Sequence, residues 1–556
     1  MSYVIGIDTG GTYTDAVLLK KNNDGSNVVE RKSKSFTTHD KLSIGIRESL
    51  EKLNILKNEI QLIERVVLST TLATNAIVEG NISKVGLILI GDGPRGNIAT
   101  EYIEQVNGNV NIKGRVLRNI DKNMVKEALD KLVPKVKAIA ISGAASIRNP
   151  TLEQQVKELV VNSYNIPVMC GHEFASELGF LERTNTVVIN AGLLPVINDF
   201  INAITEVLSQ LRINAPVFVL RGEGSISRLD AIKIKPIDTA LSGPAASMIG
   251  TINLTNIDNV VVSDMGGTTT DMGVVRNKRV ELSSEGATIG GWKLRIKSAK
   301  LYTFGLGGDS KICIQDGNIK IGPKRVLPAC RGGDYVTPTD ILHYTGEFVK
   351  WNKEKSIAAI DHSAKLEGIS SKEYASEVMD AMLKKIVDES ISLYEYMNFP
   401  ICAIGAPAKT WYEKVRDIYN YNIVIPDNYE VANAVGAATA GIQEIIEATV
   451  RPGEEGHGFL AHTRIGRFSF MKRNDAVNKA IEVTKEYAIK QITNQNLKLS
   501  DVSILCEDIF NDNSQLVRKA VIFENDDEHV YRCEEDNSVY IETNIRVSIS
   551  GKIFDN

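Results

Sequence analysis

The 556 residues contain six cysteines, three tryptophans and almost no excess of either charge, 64 basic side chains standing against 69 acidic ones for a formal net charge of -5. Each shortage excludes something. Cys170, Cys313, Cys330, Cys402, Cys506 and Cys533 lie 143, 17, 72, 104 and 27 residues apart with no C-x-x-C pair, so the spacing offers neither a zinc ribbon nor a cluster ligand set. A disulfide scaffold would need far more of them. The near balance of signs leaves no overall field for a nucleic-acid backbone or an anionic membrane, and both partners are expected to be absent. Nowhere do 18 apolar residues run uninterrupted, and Met1 leads at once into the strand-like Val4-Ile5-Gly6-Ile7-Asp8 without a basic leader. The expected location is therefore the cytoplasm. At about 150 residues per domain, the length allows three or four domains with substantial cores.

What the chain does contain is a repeat. Residues 8–15 read D-T-G-G-T-Y-T-D and residues 264–271 read D-M-G-G-T-T-T-D, identical at six of eight positions with an offset of 256. Each copy lies between two apolar strands, so the unit is strand, Gly-rich turn, strand; the Rossmann and P-loop glycines instead open a helix. Adjacent glycines are expected to supply positive φ and close backbone approach, leaving N–H groups that form an anion-binding concavity. Phosphate is accordingly assigned to Gly10, Gly11, Thr12, Thr14, Gly266, Gly267, Thr268 and Thr269, the threonines adding uncharged hydroxyl donors. Asp8 and Asp264 cannot attract phosphate themselves; their expected role is to hold Mg²⁺ against its oxygens. One such turn alone would equally suit a tight Gly-Gly hairpin. Two copies with matching flanks favour a polyphosphate held between two halves.

Strands and helices alternate on either side of the repeat. Helical patterns cover about 41–54, 122–132 and 151–163, with strands at 84–90, 136–142 and up to Met169. Later come a helix from Pro195 to about Leu211, a strand at 217–220, a long amphipathic helix at 371–397 and the strand Ile401-Cys402-Ala403-Ile404. The predicted class is α/β, with largely parallel sheets covered by helices. Gly405 ends a strand and Gly436 lies in an Ala/Gly helix; both positions suit adenosine lying flat against backbone, although small residues also serve close helix packing.

The order of these motifs resembles the actin, sugar-kinase and heat-shock-chaperone superfamily of ATPases, and within it the A-type, ATP-binding subunit of the hydantoinase/oxoprolinase family. The resemblance rests on Gly6-Ile7-Asp8-Thr9-Gly10-Gly11-Thr12-Tyr13-Thr14-Asp15, Thr70-Thr71-Leu72-Ala73-Thr74-Asn75-Ala76, His172-Glu173, Leu181-Glu182-Arg183-Thr184-Asn185-Thr186, Asn190-Ala191, Leu241-Ser242-Gly243-Pro244-Ala245, the second hairpin, and Pro328-Ala329-Cys330-Arg331-Gly332-Gly333-Asp334 with Thr337-Pro338-Thr339-Asp340. It covers about residues 3–450. It implies two duplicated ribonuclease-H-like (actin-like ATPase) halves, at 1–190 and 191–450; outside the resemblance, residues 451–556 are read as a small α+β domain. It also implies ATP and Mg²⁺ as cofactors and a cyclic amide, such as a hydantoin, oxoproline or lactam, whose carbonyl is activated by phosphorylation before the ring opens. Relatives activate ketones for carboxylation. Partners implied are a B-type hydantoinase subunit or another enzyme, with homo-oligomers left open.

Asp8, Asp15, Asp264 and Asp271 are the expected catalytic carboxylates, with Asp15 and Asp271 serving either to orient a nucleophile or to fix the hairpins. Thr70, Thr71, Asn75, His172, Glu173 and Arg183 are the expected substrate contacts, against the alternatives of a helix N-cap and a structural ion pair. Cys330 is read as a buried apolar residue in preference to a reactive thiol. The chain departs from the family in having Leu68-Ser69 where His-Gly usually precedes the T-T-x-A-T-N-A motif, which removes a candidate acid, base or metal ligand. Two other functions remain open: a small-molecule kinase, and an ATP-gated activator of a partner enzyme. The cysteine spacing speaks against the cluster-binding kind of activator.

Beyond about residue 450 the resemblance stops. Residues 451–556 carry 14 basic and 18 acidic side chains, net -4 of the chain's -5. A helix at 474–494 and strands at 502–506, 516–523 and 539–549 are expected, and the seven carboxylates between Glu524 and Asp536 read as a solvated hairpin tip or, less simply, a Ca²⁺ site.

Overall fold

Strands that are apolar on both faces belong in sheets covered on both sides. Ser2–Thr9 is such a strand, with Ile5 and Ile7 fully buried. The computed structural model describes residues 2–553 except 23–25, 39–41, 175–178, 316–317, 454–456, 495–496, 513–514, 525–530 and 533–537. Ser2–Thr9 pairs antiparallel with Tyr13–Lys21, which pairs antiparallel with Asn27–Phe36; on its other side it pairs in parallel with Ile63–Thr70, which pairs in parallel with Val217–Leu220. The second half repeats this order and these directions. Val260–Met265 lies between antiparallel Thr270–Arg276 and parallel Ile401–Ile404, with Arg279–Val280 and Ile423–Val424 at the two ends. The offset of 256 is thus a duplication of a five-stranded ribonuclease-H-like sheet, and the fold is α/β as expected.

Within the first half, between its strands Ile63–Thr70 and Val217–Leu220, residues 85–170 form a separate parallel sheet in the order Val168–Cys170, Ala138–Gly143, Val85–Ile90, Tyr102–Val106. A helix at Phe180–Gln210 ties it to the rest. It begins 15 residues before the predicted start at Pro195, which lies inside it. Proline suits the first turn of a helix, and that preference misplaced the start; here the opened turn is satisfied from outside, Ser83 N donating to Gly192 O at 3.0 Å. By length and composition this helix could cross a membrane, but 61% of its most apolar window is buried inside the protein. Its polar residues hold neighbouring segments in place. Asn185 accepts from Ala99 N and donates to Asn97 O, Thr186 accepts from Arg295 N, and Asn190 accepts from Ile237 N.

The tail does not stand apart. Ile442–Pro452 leaves the second half, bridges to Ile226–Arg228 of the first sheet, and pairs along its length with Val539–Ile553. Leu497–Asp512 and Gln515–Glu524 extend the same sheet, giving a 12-stranded sheet among the described residues. The helix Arg473–Asn494 packs beneath it, and one continuous core joins Val4, Val17 and Phe218 to Ala476, Val547 and Ile549. The expected boundaries at 190 and 450 therefore both fall inside this sheet's run of strands. Most of the acidic run, residues 525–530 and 533–536, lies outside the described residues.

Candidate active site between two hairpins

Each D-x-G-G-T turn closes in the same way: Gly10 N donates to Tyr13 O at 3.0 Å, and Gly266 N to Thr269 O at 2.9 Å. The register pairs Asp8 with Asp15 and Asp264 with Asp271 at matching places. None of the four hairpin glycines takes the left-handed conformation expected of them. Space is the constraint at Gly267 and Gly10 but not at Gly11. A Cβ on Gly267 would stand 3.0 Å from the Asp309 carboxylate, whereas one on Gly11 would meet nothing within 4 Å, leaving that side of the first turn open.

The first carboxylate is under electrostatic stress. Asp8 is 5% exposed and its Oδ1 has no hydrogen-bond partner. Burial, reinforced by the charges of Asp15 and Asp264 and opposed by Ser69 and Lys34, pushes its carboxyl up to about 7. Asp264 is better served: Ser247 Oγ donates to its Oδ2 at 2.5 Å and Asn433 Nδ2 at 3.3 Å, although burial still raises it. Asp15 is paired with Lys34 Nζ at 2.8 Å, and Asp271 accepts from Thr303 Oγ1 at 2.6 Å while burial pushes it up to about 6. These partners favour hairpin-fixing roles for Asp15 and Asp271.

Cations cross from one half to the other. Arg325 donates to Thr12 Oγ1 at 2.8 Å and lies 3.5 Å from Asp309; Arg331 lies 3.8 Å from Asp309 and covers the Phe36 ring at 5.3 Å. Phe36 in turn stacks on Tyr13 at 4.9 Å. Lys34, Asp309, Arg325, Arg331, Ser247 and Asn433 were missed by reasoning on local patterns, because none belongs to the hairpins and only the fold gathers them. A guanidinium poised between the turns suits the spread charge of a phosphoryl group in transfer. Arg325→Gln is expected to lower kcat/KM for ATP by about tenfold to a hundredfold, read by steady-state ADP release, with the melting temperature little changed because the side chain is 40% exposed.

Gly405 and Gly436, both assigned to adenosine, go different ways. Gly405 has φ +93°, and a Cβ there would stand 2.3 Å from Met265 O and 2.7 Å from Asp264 Oδ1, so it borders the second carboxylate. At Gly436 a Cβ would stand 1.9 Å from Ala246 O on the helix Ser242–Thr255. That helix occupies the Cβ side of Gly436, so a glycine is required there for helix packing.

Among the expected substrate contacts, Thr70 is buried and exchanges hydrogen bonds with Ser242: Ser242 Oγ donates to Thr70 O at 2.9 Å and accepts from Thr70 N at 3.3 Å. Thr74 Oγ1 accepts from Leu241 N at 3.0 Å. The T-T-x-A-T-N-A and L-S-G-P-A motifs are thus two sides of one joint. Thr71 and Asn75 remain half-exposed beside Thr9, linked to each other at 3.2 Å. Leu68, in the place of the usual histidine, is fully buried opposite Ile7, and Ser69 faces Asp8 in register. Cys330 is buried and its thiol is pushed up to about 12 by burial, beside an Asp340 carboxylate that accepts from Ala329 N, Cys330 N and Thr337 N. It is a structural residue.

His172, Glu173 and Arg183 form a cluster of their own at the edge of the inserted sheet. Glu153, fully enclosed, accepts from Gly143 N at 2.8 Å, from His172 N at 2.9 Å and holds His172 Nδ1 at 2.6 Å. Arg183 donates to Gly143 O and Ala144 O, and Glu173 pairs with Lys157 at 2.5 Å. Ligand atoms of Glu153, Cys170 and His172 lie within 4.8 Å of one another. A metal is poorly suited here, because the carboxylate is already saturated by donors, Arg183 adds a positive charge, and burial raises the Cys170 thiol.

Comparison with known proteins agrees with this layout. The model described as hydantoinase/oxoprolinase matches residues 183–446, and that of the hydantoinase/oxoprolinase N-terminal region matches residues 4–163. The chain is 26% identical to the acetophenone carboxylase gamma subunit of Aromatoleum aromaticum over 90% of its own length and 75% of that protein's. It is 27% identical to caprolactamase subunit alpha of Pseudomonas jessenii over 61% and 53%, and 26% identical to 5-oxoprolinase of Saccharomyces cerevisiae over 62% and 32%. The latter two matches thus span about half and one third of those proteins. Among solved structures, the ATP-dependent caprolactamase from Pseudomonas jessenii superposes with a TM-score of 0.77 at 21% identity, and nucleotide-free acetone carboxylase with 0.73 at 16%, each covering 99% of this chain and 88% of the other.

Proposed function

Because the chain belongs to the hydantoinase/oxoprolinase family, we propose that it uses Mg-ATP between the two hairpins to phosphorylate the carbonyl oxygen of a cyclic amide, alone or as the ATP-using subunit of a larger enzyme. The observation that carries this is the unpartnered Oδ1 of buried Asp8, which feels the charge of Asp264 from the other half, while Arg325 reaches Thr12 of its own turn. A buried carboxylate with one oxygen unpartnered and no direct ion pair among the described residues fits a divalent cation, and Asp8 and Asp264 would hold it. When bound, Mg²⁺ neutralises phosphate charge. The protein's own residues do the rest. The turns at Gly10–Thr12 and Gly266–Thr268 bind phosphate oxygens, Arg325 and Arg331 balance charge, and Lys34 opposes the rise that burial gives the Asp15 carboxyl and keeps the first hairpin in shape.

The chemistry follows from the electrophile. A lactam carbonyl reacts poorly with water, so its oxygen first attacks the γ-phosphorus and ADP departs. Water then adds at the activated carbon and the ring amine leaves, giving an acyl phosphate whose hydrolysis yields the opened acid and free phosphate. Positioning and charge neutralisation supply most of the acceleration in such transfers.

A second reading is ketone activation for carboxylation, favoured by the acetophenone carboxylase match over 90% of the chain and by Leu68-Ser69 lying beside Asp8. One experiment addresses both. Purified protein with Mg-ATP is offered hydantoins, oxoproline, lactams, and aryl or alkyl ketones with bicarbonate, with and without a B-type hydantoinase subunit. Substrate-stimulated ADP release with ring-opened acid supports the first reading and a new carboxylate the second. A stable phosphorylated product would make the protein a kinase, and no stimulated release in any arrangement would refute the proposal.

A further inference from the structure

The P-A-C-R-G-G-D and T-P-T-D motifs enter the chemistry above only through Arg331, and their other residues build the platform it stands on. Asp340 accepts from Ala329 N at 3.0 Å and Cys330 N at 2.7 Å, which fixes the turn Ala329–Arg331 that carries the guanidinium. The helix Pro338–Thr345 is tied in turn to Gly308, whose carbonyl accepts from Thr339 N at 2.9 Å and Thr339 Oγ1 at 2.7 Å. On the same helix, fully buried His343 accepts at Nε2 from Lys350 N at 3.2 Å and Trp351 N at 3.1 Å, so Nδ1 carries the ring proton and donates to Thr339 O at 2.8 Å. The imidazole stacks on the Trp351 ring, with centroids 5.6 Å and planes 12° apart, and Asn352 N donates to Cys330 O at 3.2 Å. Trp351 is thereby fixed beside Arg331.

Arg331 lies against two rings that come from different halves. Its Cζ is 5.4 Å from the centroid of Trp351, in the second half, and 5.3 Å from that of Phe36, in the first half, where Tyr13 backs the ring. Phe36 is still 52% exposed, so little of its place in the fold is explained by its own burial. Rings hold a guanidinium without neutralising it and without using its N–H groups. Among the described residues the Arg331 side chain donates no hydrogen bond, and its ion pair with Asp309, at 3.8 Å, is shared with Arg325 at 3.5 Å. Two guanidiniums against one carboxylate leave a net positive charge between the turns, since Asp309 N donates to Gly267 O at 2.6 Å and Arg325 reaches Thr12.

We propose that Phe36 and Trp351 are positioning residues: they hold Arg331 between them so that its free N–H donors meet the terminal phosphate of ATP between the hairpins. The inference rests on the nucleotide reading given above and deepens it. Because one ring comes from each half, the guanidinium is clamped on both sides only with the halves together, and the clamp acts on a triphosphate and not on a diphosphate.

Binding of Mg²⁺ with ADP, and with the non-hydrolysable β,γ-imido analogue of ATP, is measured by calorimetry on the full chain. Phe36→Leu and Trp351→Leu, which keep apolar bulk and lose the ring, should each weaken the analogue by about fivefold to thirtyfold and change ADP affinity by less than about twofold. Phe36→Tyr and Trp351→Phe, which keep a ring, should bind the analogue within about threefold of the wild type. A merely structural role would weaken both nucleotides together or escape rescue by the ring-keeping variants, and either result overturns the proposal, as does an unchanged affinity for the analogue in Phe36→Leu. A wild type that binds neither nucleotide refutes the nucleotide reading and this inference with it; a wild type that binds both, with variants that do the same, overturns the clamp alone. If Trp351→Leu does not fold, the half-exposed Phe36 position decides.

Discussion

A chain carrying Asp8→Asn is expected to lose Mg-ATP turnover by at least about a hundredfold and yet to unfold at higher denaturant than the wild type at pH 8. The two effects share a cause. Burial lifts the Asp8 carboxyl from 3.8 to about 7, so its contribution to stability is fully present below about pH 4 and is lost as the pH rises through 7. At about 1.4 kcal/mol per unit, ionised Asp8 costs the nucleotide-free fold at most about 4 kcal/mol at pH 8. Asparagine removes the charge and most of that cost. Urea unfolding at pH 5 and pH 8, with and without Mg-ATP, reads the effect: the wild type should weaken from pH 5 to 8 unless Mg-ATP is present, and the variant should weaken less and ignore the nucleotide. A variant that is less stable at pH 8, or that still turns over ATP, would remove Asp8 from the role assigned to it. Such a trade between stability and function is what a carboxylate kept buried for a cation should show.

The second large effect concerns packing. Gly436→Ala is expected to destabilise the protein by about 3 kcal/mol or more, enough to lower soluble yield, because the added methyl would overlap the Ala246 carbonyl at 1.9 Å. Gly250→Ala, whose Cβ would stand 2.0 Å from Ala432 O, should behave the same way from the other helix. Neither neighbour can yield, since both contacts are to backbone. Gly441→Ala, with nothing within 4 Å, is the comparison and should change stability by less than about 1 kcal/mol. Near-equal melting temperatures for all three would contradict the close helix crossing.

Much of this was legible along the chain because it is local. The two hairpins follow from a repeated octapeptide. The helices at 122–132, 151–163 and 371–397 follow from periodicity, and the structure has them at Lys122–Leu132, Thr151–Ser163 and Ser371–Met397. Pro195 misled because a helix-starting residue was tolerated inside a long helix whose opened turn found a donor in Ser83. Gly436 shows the limit of composition: a small residue accommodates a ligand or another helix equally well, and its Cβ side faces Ala246. Thr70 is an expected substrate contact, while Thr74 and Ser242 are only members of their motifs; the two motifs hydrogen-bond across 172 and 167 residues of chain to make one joint.

By itself, then, the sequence determined the duplicated α/β plan, the place of both glycine-rich turns and the carboxylates at their feet, since each depends on residues within about ten positions of one another. Tertiary structure alone decided which cations face those turns, that Lys34 attends Asp15 and Arg325 reaches Thr12, and that the tail completes the first sheet instead of standing apart. It also decided where Phe36 and Arg331 meet, 295 residues apart in the chain. The reason is physical: hydrogen bonds and hydrophobic periodicity act between near neighbours, whereas charge and close packing act between whatever the fold brings together, at any separation along the chain.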